Sequence, residues 1–251
     1  MSKDLILFIL KIYNINIIIH FAAQSHVCNS FENSLQYSKD NYMGTHILLE
    51  CSRIYNKLDK FIHISTDEVY GESEINEQGK LENTQRCPTN PYAASKAAAE
   101  MMVNAYKYSY KLPIIITRCN NIYGINQYPE KLIPKFIKLL KDGKKCTIHG
   151  DGSNLRSFLY IEDFCTALDK ILFSGKLGEV YNIGISKEYS VLEIAKKLIK
   201  LIKNNENYSE YLEYIKDRKY NDKRYFINYE KLSKLGWVSK INICEGLKKI
   251  I

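Results

Sequence analysis

Recurrent runs of apolar, mostly β-branched residues constrain the fold of this chain more than any other feature. They cover residues 15–21, 61–65 and 112–117. A continuous apolar run of this length is typical of a parallel strand that is covered on both faces. Helical patterns at residues 41–55 and 92–110 separate these runs. The alternation predicts an α/β protein with a Rossmann-type doubly wound parallel sheet.

The second half of the sequence has a different texture. After Gly124, Pro and Gly occur more often, and aromatic and basic residues mix. We expect helices at residues 130–141, 162–173 and 191–202, a short strand at 179–183, and a loop or loose helix at 203–211. These patterns predict two units, a Rossmann-type domain at residues 1–124 and a smaller lobe at residues 125–251.

Composition excludes several classes of protein. The net charge of +8 comes from lysines spread along the chain, which favours a solvated surface over a site for anions. No basic run with interleaved aromatics indicates nucleic-acid binding. The 7 cysteines form no C-x-x-C pair, and the 5 histidines have no metal-ligand spacing, so we expect reduced thiols in the cytoplasm and no metal. We interpret the N-terminal segment as a helix followed by a buried strand, not as a signal peptide. No segment is long enough to span a membrane.

A hydroxyl and two carboxylates follow the apolar run at residues 61–65 directly, as Thr66, Asp67 and Glu68. Open α/β sheets place their ligands at this carboxyl end of the strands. Adjacent side chains on a strand point to opposite faces, so both acids serve one substrate only if the backbone has turned into a loop. A helix N-cap followed by acids that the helix dipole favours explains the same residues equally well.

Tyr92 and Lys96 lie four residues apart in an Ala-rich stretch that is predicted to be helical, so both lie on one helical face. A nearby ammonium favours the phenolate, and we therefore expect Lys96 to hold the pKa of Tyr92 down. A Tyr-x-x-x-Lys spacing alone is a weak signal. It becomes a strong one when the string from Ser65 to Gly71 precedes it.

Together these strings resemble the extended short-chain dehydrogenase/reductase family and, within it, the dTDP-glucose 4,6-dehydratases. The resemblance runs almost from end to end. It includes the strings at residues 20–27, 44–50, 89–92, 117–124, 129–134, 156–160, 217–218 and 222–225. Epimerases of the same family keep the Tyr and Lys but lack the paired acids, so an epimerase is the less favoured reading.

The resemblance implies an NAD-dependent lyase that converts a nucleotide-diphosphate glucose, of the dTDP- or UDP-glucose type, to its 4-keto-6-deoxy derivative. Tyr92 would take the proton of the sugar O4 with Thr66 bonded to that oxygen, and Lys96 would orient the nicotinamide ribose. Glu68 would then remove the C5 proton, and Asp67 would protonate the departing C6 hydroxyl.

Further residues match binding positions of the family. The stretch Ala22, Ala23 and Gln24 corresponds to the loop along the nicotinamide half of NAD, to which Tyr92 and Lys96 also belong. The positions that match the nucleotide-sugar site are Asn121, Lys131, Leu132, Arg156 and Arg218. A planar guanidinium suits bidentate phosphate recognition. A surface salt bridge is the alternative for either arginine.

One departure from the family is the lack of the Gly-rich dinucleotide fingerprint, whose glycines let the backbone approach the pyrophosphate. On the family pattern, we expect roughly 60–75 residues to be missing before the strand at 15–21. The chain alone would then bind NAD weakly and expose a sheet edge. The alternative function is an inactive remnant, or a subunit whose partner supplies the missing strands. Leu48, Leu49, Ala97, Met101 and Ala105 fit a homodimer interface or the core equally well.

Overall fold

The helices and strands follow the predicted alternation, with additional short elements in the second half. The computed structural model describes residues 2–217 and 220–251. The strands are β1 Ile17–His20, β2 Lys60–Thr66, β3 Ile114–Cys119, β4 Asn121–Tyr123, β5 Cys146–His149, β6 Leu155–Tyr160, β7 Val180–Ile183, β8 Glu188–Ser190 and β9 Leu212–Ile215. The helices are α1 Lys3–Ile12, α2 Val27–Glu32, α3 Ser34–Tyr37, α4 Gly44–Tyr55, α5 Pro91–Tyr110, α6 Leu132–Lys141, α7 Ile161–Ser174, α8 Val191–Lys203, α9 Glu230–Ser233 and α10 Ile243–Ile250. A π-helical turn covers Ser38–Met43, and 3₁₀ turns cover Asp67–Tyr70 and Tyr208–Tyr211.

A parallel four-stranded sheet in the order β1-β2-β3-β7 forms the centre of the fold. Side chains alternate between its faces. Phe61 and Ile114 pack against α4 and α5 on one side, and Ile62 and Ile115 pack against α7 on the other. Every residue of β3 is buried. The predicted class, a Rossmann-type α/β fold with helices on both faces of a parallel sheet, is confirmed.

Strand β1 is less enclosed than its apolar sequence predicts. Within the residues that the structure describes, it pairs with β2 alone. Ile17 is 37% exposed, although His20 at the other end of the strand is buried. The strand is therefore not covered on both faces along its whole length, and the exposed sheet edge that the lack of the Gly-rich segment predicts lies here.

The second half of the chain adds a smaller apolar cluster. Its sheets are β4-β6-β8 and β5-β9, and helices α6, α8 and α10 pack around them. Strand β7, however, lies in the first sheet, parallel to β3 in the register Ile116↔Val180 to Cys119↔Ile183. Sequence patterns assigned this strand to the second lobe. The division at residue 124 stays a prediction.

The start of α5 is specified locally. Asn90 is in an extended conformation, and its side-chain oxygen accepts a hydrogen bond from the backbone N–H of Ala93 at 2.9 Å. Pro91 follows at the first helical position, where a missing N–H costs nothing. These signals place Tyr92 in the first turn of the helix, at the carboxyl edge of the sheet.

The described helices include none that is both long enough and apolar enough to cross a lipid bilayer.

Candidate active site

The backbone turns immediately after β2, as the paired acids require. Thr66 ends the strand in an extended conformation, and the 3₁₀ turn Asp67–Tyr70 follows. The Thr66 hydroxyl accepts a hydrogen bond from the backbone N–H of Glu68 at 3.3 Å and therefore caps this turn. The capping role and the site role predicted from the sequence are thus compatible, because the cap brings both carboxylates to one edge of the sheet.

Asp67 is buried and held by hydrogen bonds. Its Oδ2 accepts from the Asn120 amide at 2.8 Å, and its Oδ1 accepts from the Thr66 hydroxyl at 3.2 Å. Burial raises the pKa of Asp67 to about 7, the Asn120 bond opposes that shift, and the neighbouring charge of Glu68 adds to it. At neutral pH this carboxyl is therefore poised between its acid and its conjugate base.

Glu68 has a different environment although it is the next residue. It is half-buried, and its Oε2 accepts a hydrogen bond from the Asn90 amide at 3.0 Å. Burial raises the pKa of Glu68, whereas the Asn90 bond and the charge of Arg156 lower it. The two adjacent acids consequently have separate partners, which is the condition for opposite roles in proton transfer.

Tyr92 and Lys96 project from the first turns of α5 and are both buried. The Lys96 ammonium donates to the carbonyl oxygen of Ile64 at 2.6 Å, and burial lowers the pKa of Lys96 to about 8. The pKa of Tyr92 is raised, first by burial and then by the charge of Glu68. The expectation that Lys96 holds the pKa of Tyr92 down is wrong for these side chains, because burial of the phenol outweighs other influences.

A buried amide connects α5 to the loop after β1. Asn41, in the π-helical turn, accepts from the backbone N–H of Gln24 at 2.7 Å and donates to its carbonyl at 3.0 Å. The same side chain donates to the Ser95 hydroxyl at 2.9 Å. Segments of π-helix occur frequently at functional sites. Here the turn fixes the residue 22–24 loop against α5.

Connected cavities collect the predicted residues. The first, of about 350 Å³, is lined by Thr66, Asp67, Glu68, Tyr92, Lys96, Ala23, Asn121, Lys131 and Leu132. A second, of about 170 Å³, shares Glu68, Asn121, Lys131 and Leu132 and adds Arg156. A third, of about 460 Å³, is lined by Ala22, Ala23 and Gln24 together with Met43, Gly44 and Ile47. The structure therefore brings the described candidates from distant parts of the sequence to neighbouring cavities that share lining residues.

Of the two candidate arginines, one can be described. The Arg156 guanidinium lies over the Tyr225 ring at 4.6 Å and donates to the carbonyl oxygen of Asp222 at 2.8 Å. Among the described residues it makes no salt bridge, so the alternative of a surface ion pair does not hold for Arg156. Arg218 lies outside the described residues.

The site also contains residues that were not predicted from the sequence. Asn120 holds Asp67, Asn90 holds Glu68, and the Tyr225 hydroxyl lies 3.5 Å from Glu68 Oε2. Tyr225 bonds in turn to Asp222. The motif from Asp222 to Tyr225 was visible in the sequence, but nothing in its spacing indicated that it lies beside Glu68.

Comparisons with known proteins agree with this geometry. The family model described as GDP-mannose 4,6 dehydratase matches residues 2–250. A trifunctional UDP-glucose 4,6-dehydratase/UDP-4-keto-6-deoxy-D-glucose 3,5-epimerase/UDP-4-keto-L-rhamnose-reductase from Arabidopsis thaliana is 49% identical over 249 residues, 99% of this chain and 37% of that protein. The dTDP-D-glucose 4,6-dehydratase of Dictyostelium discoideum is 50% identical over 275 residues, 94% of this chain and 63% of that protein.

A solved structure has the same fold. The dTDP-glucose 4,6-dehydratase DesIV from Streptomyces venezuelae, determined with NAD and TYD bound, superposes with a TM-score of 0.93 at 34% identity. The match covers 98% of this chain and 74% of that one. The chain thus spans well under half the length of the Arabidopsis relative and about three quarters of the bacterial enzyme.

Proposed function

The chain belongs to the GDP-mannose 4,6 dehydratase family, and on that premise we propose that it is the catalytic part of a nucleotide-diphosphoglucose 4,6-dehydratase. The observation that carries the proposal is the cavity in which Asp67 and Glu68 face Tyr92 and Lys96 from the end of β2. Paired carboxylates with separate partners suit the loss of water across a carbon–carbon bond, because one acid must release a proton while the other accepts one.

The described residues fit the nicotinamide half of NAD. Ala22, Ala23 and Gly44 are small and leave the third cavity open beside the catalytic helix. The buried Lys96 provides a cation next to Tyr92, where a ribose hydroxyl would accept a hydrogen bond. When bound, NAD supplies the hydride acceptor for C4 of the sugar and the hydride donor for C6.

The protein side chains then handle the protons. Tyr92 takes the proton of O4 in its phenolate form, which burial disfavours and which must therefore form before this step, and Thr66, whose hydroxyl hydrogen-bonds the phenol, holds that oxygen in line. Glu68 removes the C5 proton, which the new ketone has made acidic. Asp67, with a pKa of about 7, gives its proton to the departing C6 hydroxyl. Positioned proton transfer of this kind contributes roughly 10²–10⁴-fold to a rate.

The second cavity supports a nucleotide-diphosphate site. Arg156 and Lys131 provide positive charge there, and Leu132 and Phe158 provide apolar walls for a base. We propose Asn121, Lys131, Leu132, Arg156 and Arg218 as the residues that bind the nucleotide. Relatives named for UDP-glucose and for dTDP-glucose are equally similar, so both substrates belong in the test.

We also propose a homodimer through the outer faces of α4 and α5. Met101 and Ala105 are exposed there, together with Ile54 and Tyr108. Leu49 and Ala97, which the sequence offered for the same interface, are buried in the core instead, and Leu48 packs against it. A strand-supplying partner at β1 is the other proposed association. Cytoplasmic location stays a prediction.

The test is turnover of UDP-glucose and of dTDP-glucose by the purified chain at high NAD concentration. We expect the 4-keto-6-deoxy product, and a loss of about 10²-fold or more with Tyr92→Phe because the proton acceptor for O4 is gone. Tyr214→Phe is the matched control, since Tyr214 is exposed and lies outside the cavities. Absence of product from folded protein that binds the nucleotide would favour the inactive alternative.

A further inference from the structure

Tyr225 places its phenol between two carboxylates. Its hydroxyl donates a hydrogen bond to Asp222 Oδ2 and lies 3.5 Å from Glu68 Oε2. Both Tyr225 and Asp222 are 4% exposed. A second acid is thus coupled to Glu68 through a single side chain, from a segment more than 150 residues further along the sequence.

Asp222 is held by hydroxyl groups. The Thr89 hydroxyl lies 2.7 Å from Asp222 Oδ1 and 2.9 Å from Oδ2. The next residue, Asn90, donates to Glu68 at 3.0 Å. Adjacent residues at the start of the catalytic helix therefore hold the two acids separately. Among the described residues, no lysine or arginine forms an ion pair with the Asp222 carboxylate.

The number of protons available to Tyr225, Asp222 and Glu68 determines which hydrogen bonds the three side chains can form. The Tyr225 hydroxyl is within donating distance of Glu68 Oε2 as well as of Asp222 Oδ2, but a phenol has one proton, and we assign it to the shorter contact, with Asp222. The Tyr225 oxygen therefore faces Glu68 as an acceptor, and the contact becomes a hydrogen bond when Glu68 carries a proton. With both acids ionised, like charges would be coupled across one hydroxyl in a buried site, which is unfavourable. The arrangement consequently favours one proton shared by the pair.

We propose that Asp222 and Tyr225 are positioning residues for Glu68, and that the Tyr225 hydroxyl lets the two carboxylates share one proton. This rests on the proposed role of Glu68 as the base for C5. In the step, protonated Glu68 gives its proton to the Tyr225 oxygen while the Tyr225 proton moves to Asp222 Oδ2. One proton is transferred, the negative charge moves from Asp222 to Glu68, and no electrons are exchanged. The reverse step returns the proton to Glu68.

Other charged groups also act on Glu68 and must be kept constant in a test. Arg156 and Lys131 lower its pKa, and Asp222 raises it. Asp67 adds a like charge from the same turn. The groups that face Glu68 from the surrounding elements are therefore Asp67, Tyr92, Lys131, Arg156, Asp222 and Tyr225. Asp222→Asn removes a charge without removing the phenol, and Tyr225→Phe removes the bridge without removing a charge.

The experiment is a ¹³C NMR titration of the full chain labelled at the glutamate and aspartate side-chain carboxyls, with Glu68→Gln and Asp222→Asn used for assignment. We expect the Glu68 and Asp222 signals of the unmodified chain to move together in pH. In Asp222→Asn, the Glu68 midpoint should fall by roughly one pH unit, because the like charge is lost. In Tyr225→Phe, the two signals should titrate separately. Asp142→Asn, at an exposed ion pair, is the control and should change neither signal.

The outcomes separate this proposal from the proposed function. Independent titration of Glu68 and Asp222, or a Glu68 midpoint unmoved by Asp222→Asn in folded protein, would overturn the sharing of a proton. Coupled titration in a chain that makes no product would support the pair and contradict the dehydratase activity. If product forms, Tyr225→Phe should lower kcat, shift its pH profile and leave KM nearly unchanged.

Discussion

The carboxyl edge of the sheet and its β1 side are built in opposite ways. At the carboxyl edge, charged groups such as Asp67 and Lys96 are buried, and each is bonded to a partner. At the β1 side, apolar groups face solvent: Phe8 is 57% exposed and Ile17 is 37% exposed. Polar and charged side chains are buried in the first region, whereas apolar side chains are exposed in the second.

The contrast follows from two different free-energy costs, that of burying a charge and that of exposing an apolar side chain to water. A buried charge is costly unless it is paired and hydrogen-bonded, so each charged group at the carboxyl edge needs a partner within the fold. An exposed apolar patch costs less and marks a surface that other polypeptide covers. We therefore expect substitutions at the carboxyl edge to change stability and chemistry, and substitutions on the outer face of α1 to change association.

The largest effect should come from the ion pair that fixes α5 to β3. The Arg118 guanidinium donates to Glu100 Oε2 at 2.6 Å, and both side chains are fully buried. Arg118→Met leaves the buried Glu100 carboxylate with only the longer contact to Arg86 at 3.5 Å, and it should lower the free energy of unfolding by about 3–5 kcal/mol. Urea unfolding measures this.

A matched control for this change is Arg53→Met. Arg53 makes a similar bond to Glu50 at 2.7 Å, but its side chain is 38% exposed. Surface pairs contribute under about 1 kcal/mol. Equal losses from the two arginines would contradict the distinction between the buried edge and the rest of the surface.

A smaller, pH-dependent effect is expected at Asp67. Its folded pKa of about 7 lies above the ordinary 3.8. Between these values the native state binds more protons than the unfolded state, so this group stabilises the fold at low pH and loses that contribution as the pH rises toward 7. Because Asp67→Asn cannot ionise, its stability relative to the unmodified chain should rise across this window, by at most about 4 kcal/mol.

Unfolding measured at several pH values between 3.5 and 8 follows that difference across the whole window. Asp151→Asn is the control, because Asp151 is exposed and its hydrogen bonds to Ser153 lower its pKa. A stability difference between Asp67→Asn and the unmodified chain that stays constant with pH would show that Asp67 is ionised throughout.

The smallest effect on stability is expected at the β1 side. Phe8→Ser removes an exposed ring from α1 and should change the free energy of unfolding by about 0.5 kcal/mol or less. Light scattering should nevertheless show weaker self-association, because the apolar patch is smaller. Leu10→Ala, on the buried face of the same helix, should cost about 2–5 kcal/mol. Unchanged association would mean that the exposed face of α1 does not contribute to self-association in solution.

Local sequence patterns predicted many of the helices and strands correctly. The runs at 61–65 and 112–117 became β2 and β3, and the helical patterns at 130–141, 162–173 and 191–202 became α6, α7 and α8. Periodicity and capping act within a few residues, so the sequence contains them directly. For β1 the two expectations differed: its apolar sequence predicted a covered strand, whereas the comparison with the family pattern predicted an exposed sheet edge, and Ile17 is exposed.

The sequence by itself determined the class of the fold and the residue types of the catalytic edge, because the strands and the strings around Glu68 and Tyr92 are short-range patterns. Only the tertiary structure decided the strand order, the burial of those groups and their hydrogen-bond partners, and therefore their pKa values. It placed β7 beside β3, buried Tyr92 deeply enough to raise its pKa, and joined Asp222 to Glu68 through Tyr225. The physical reason is that burial and charge coupling depend on distances in space, whereas spacing in the chain sets only which residues share a turn or a strand face.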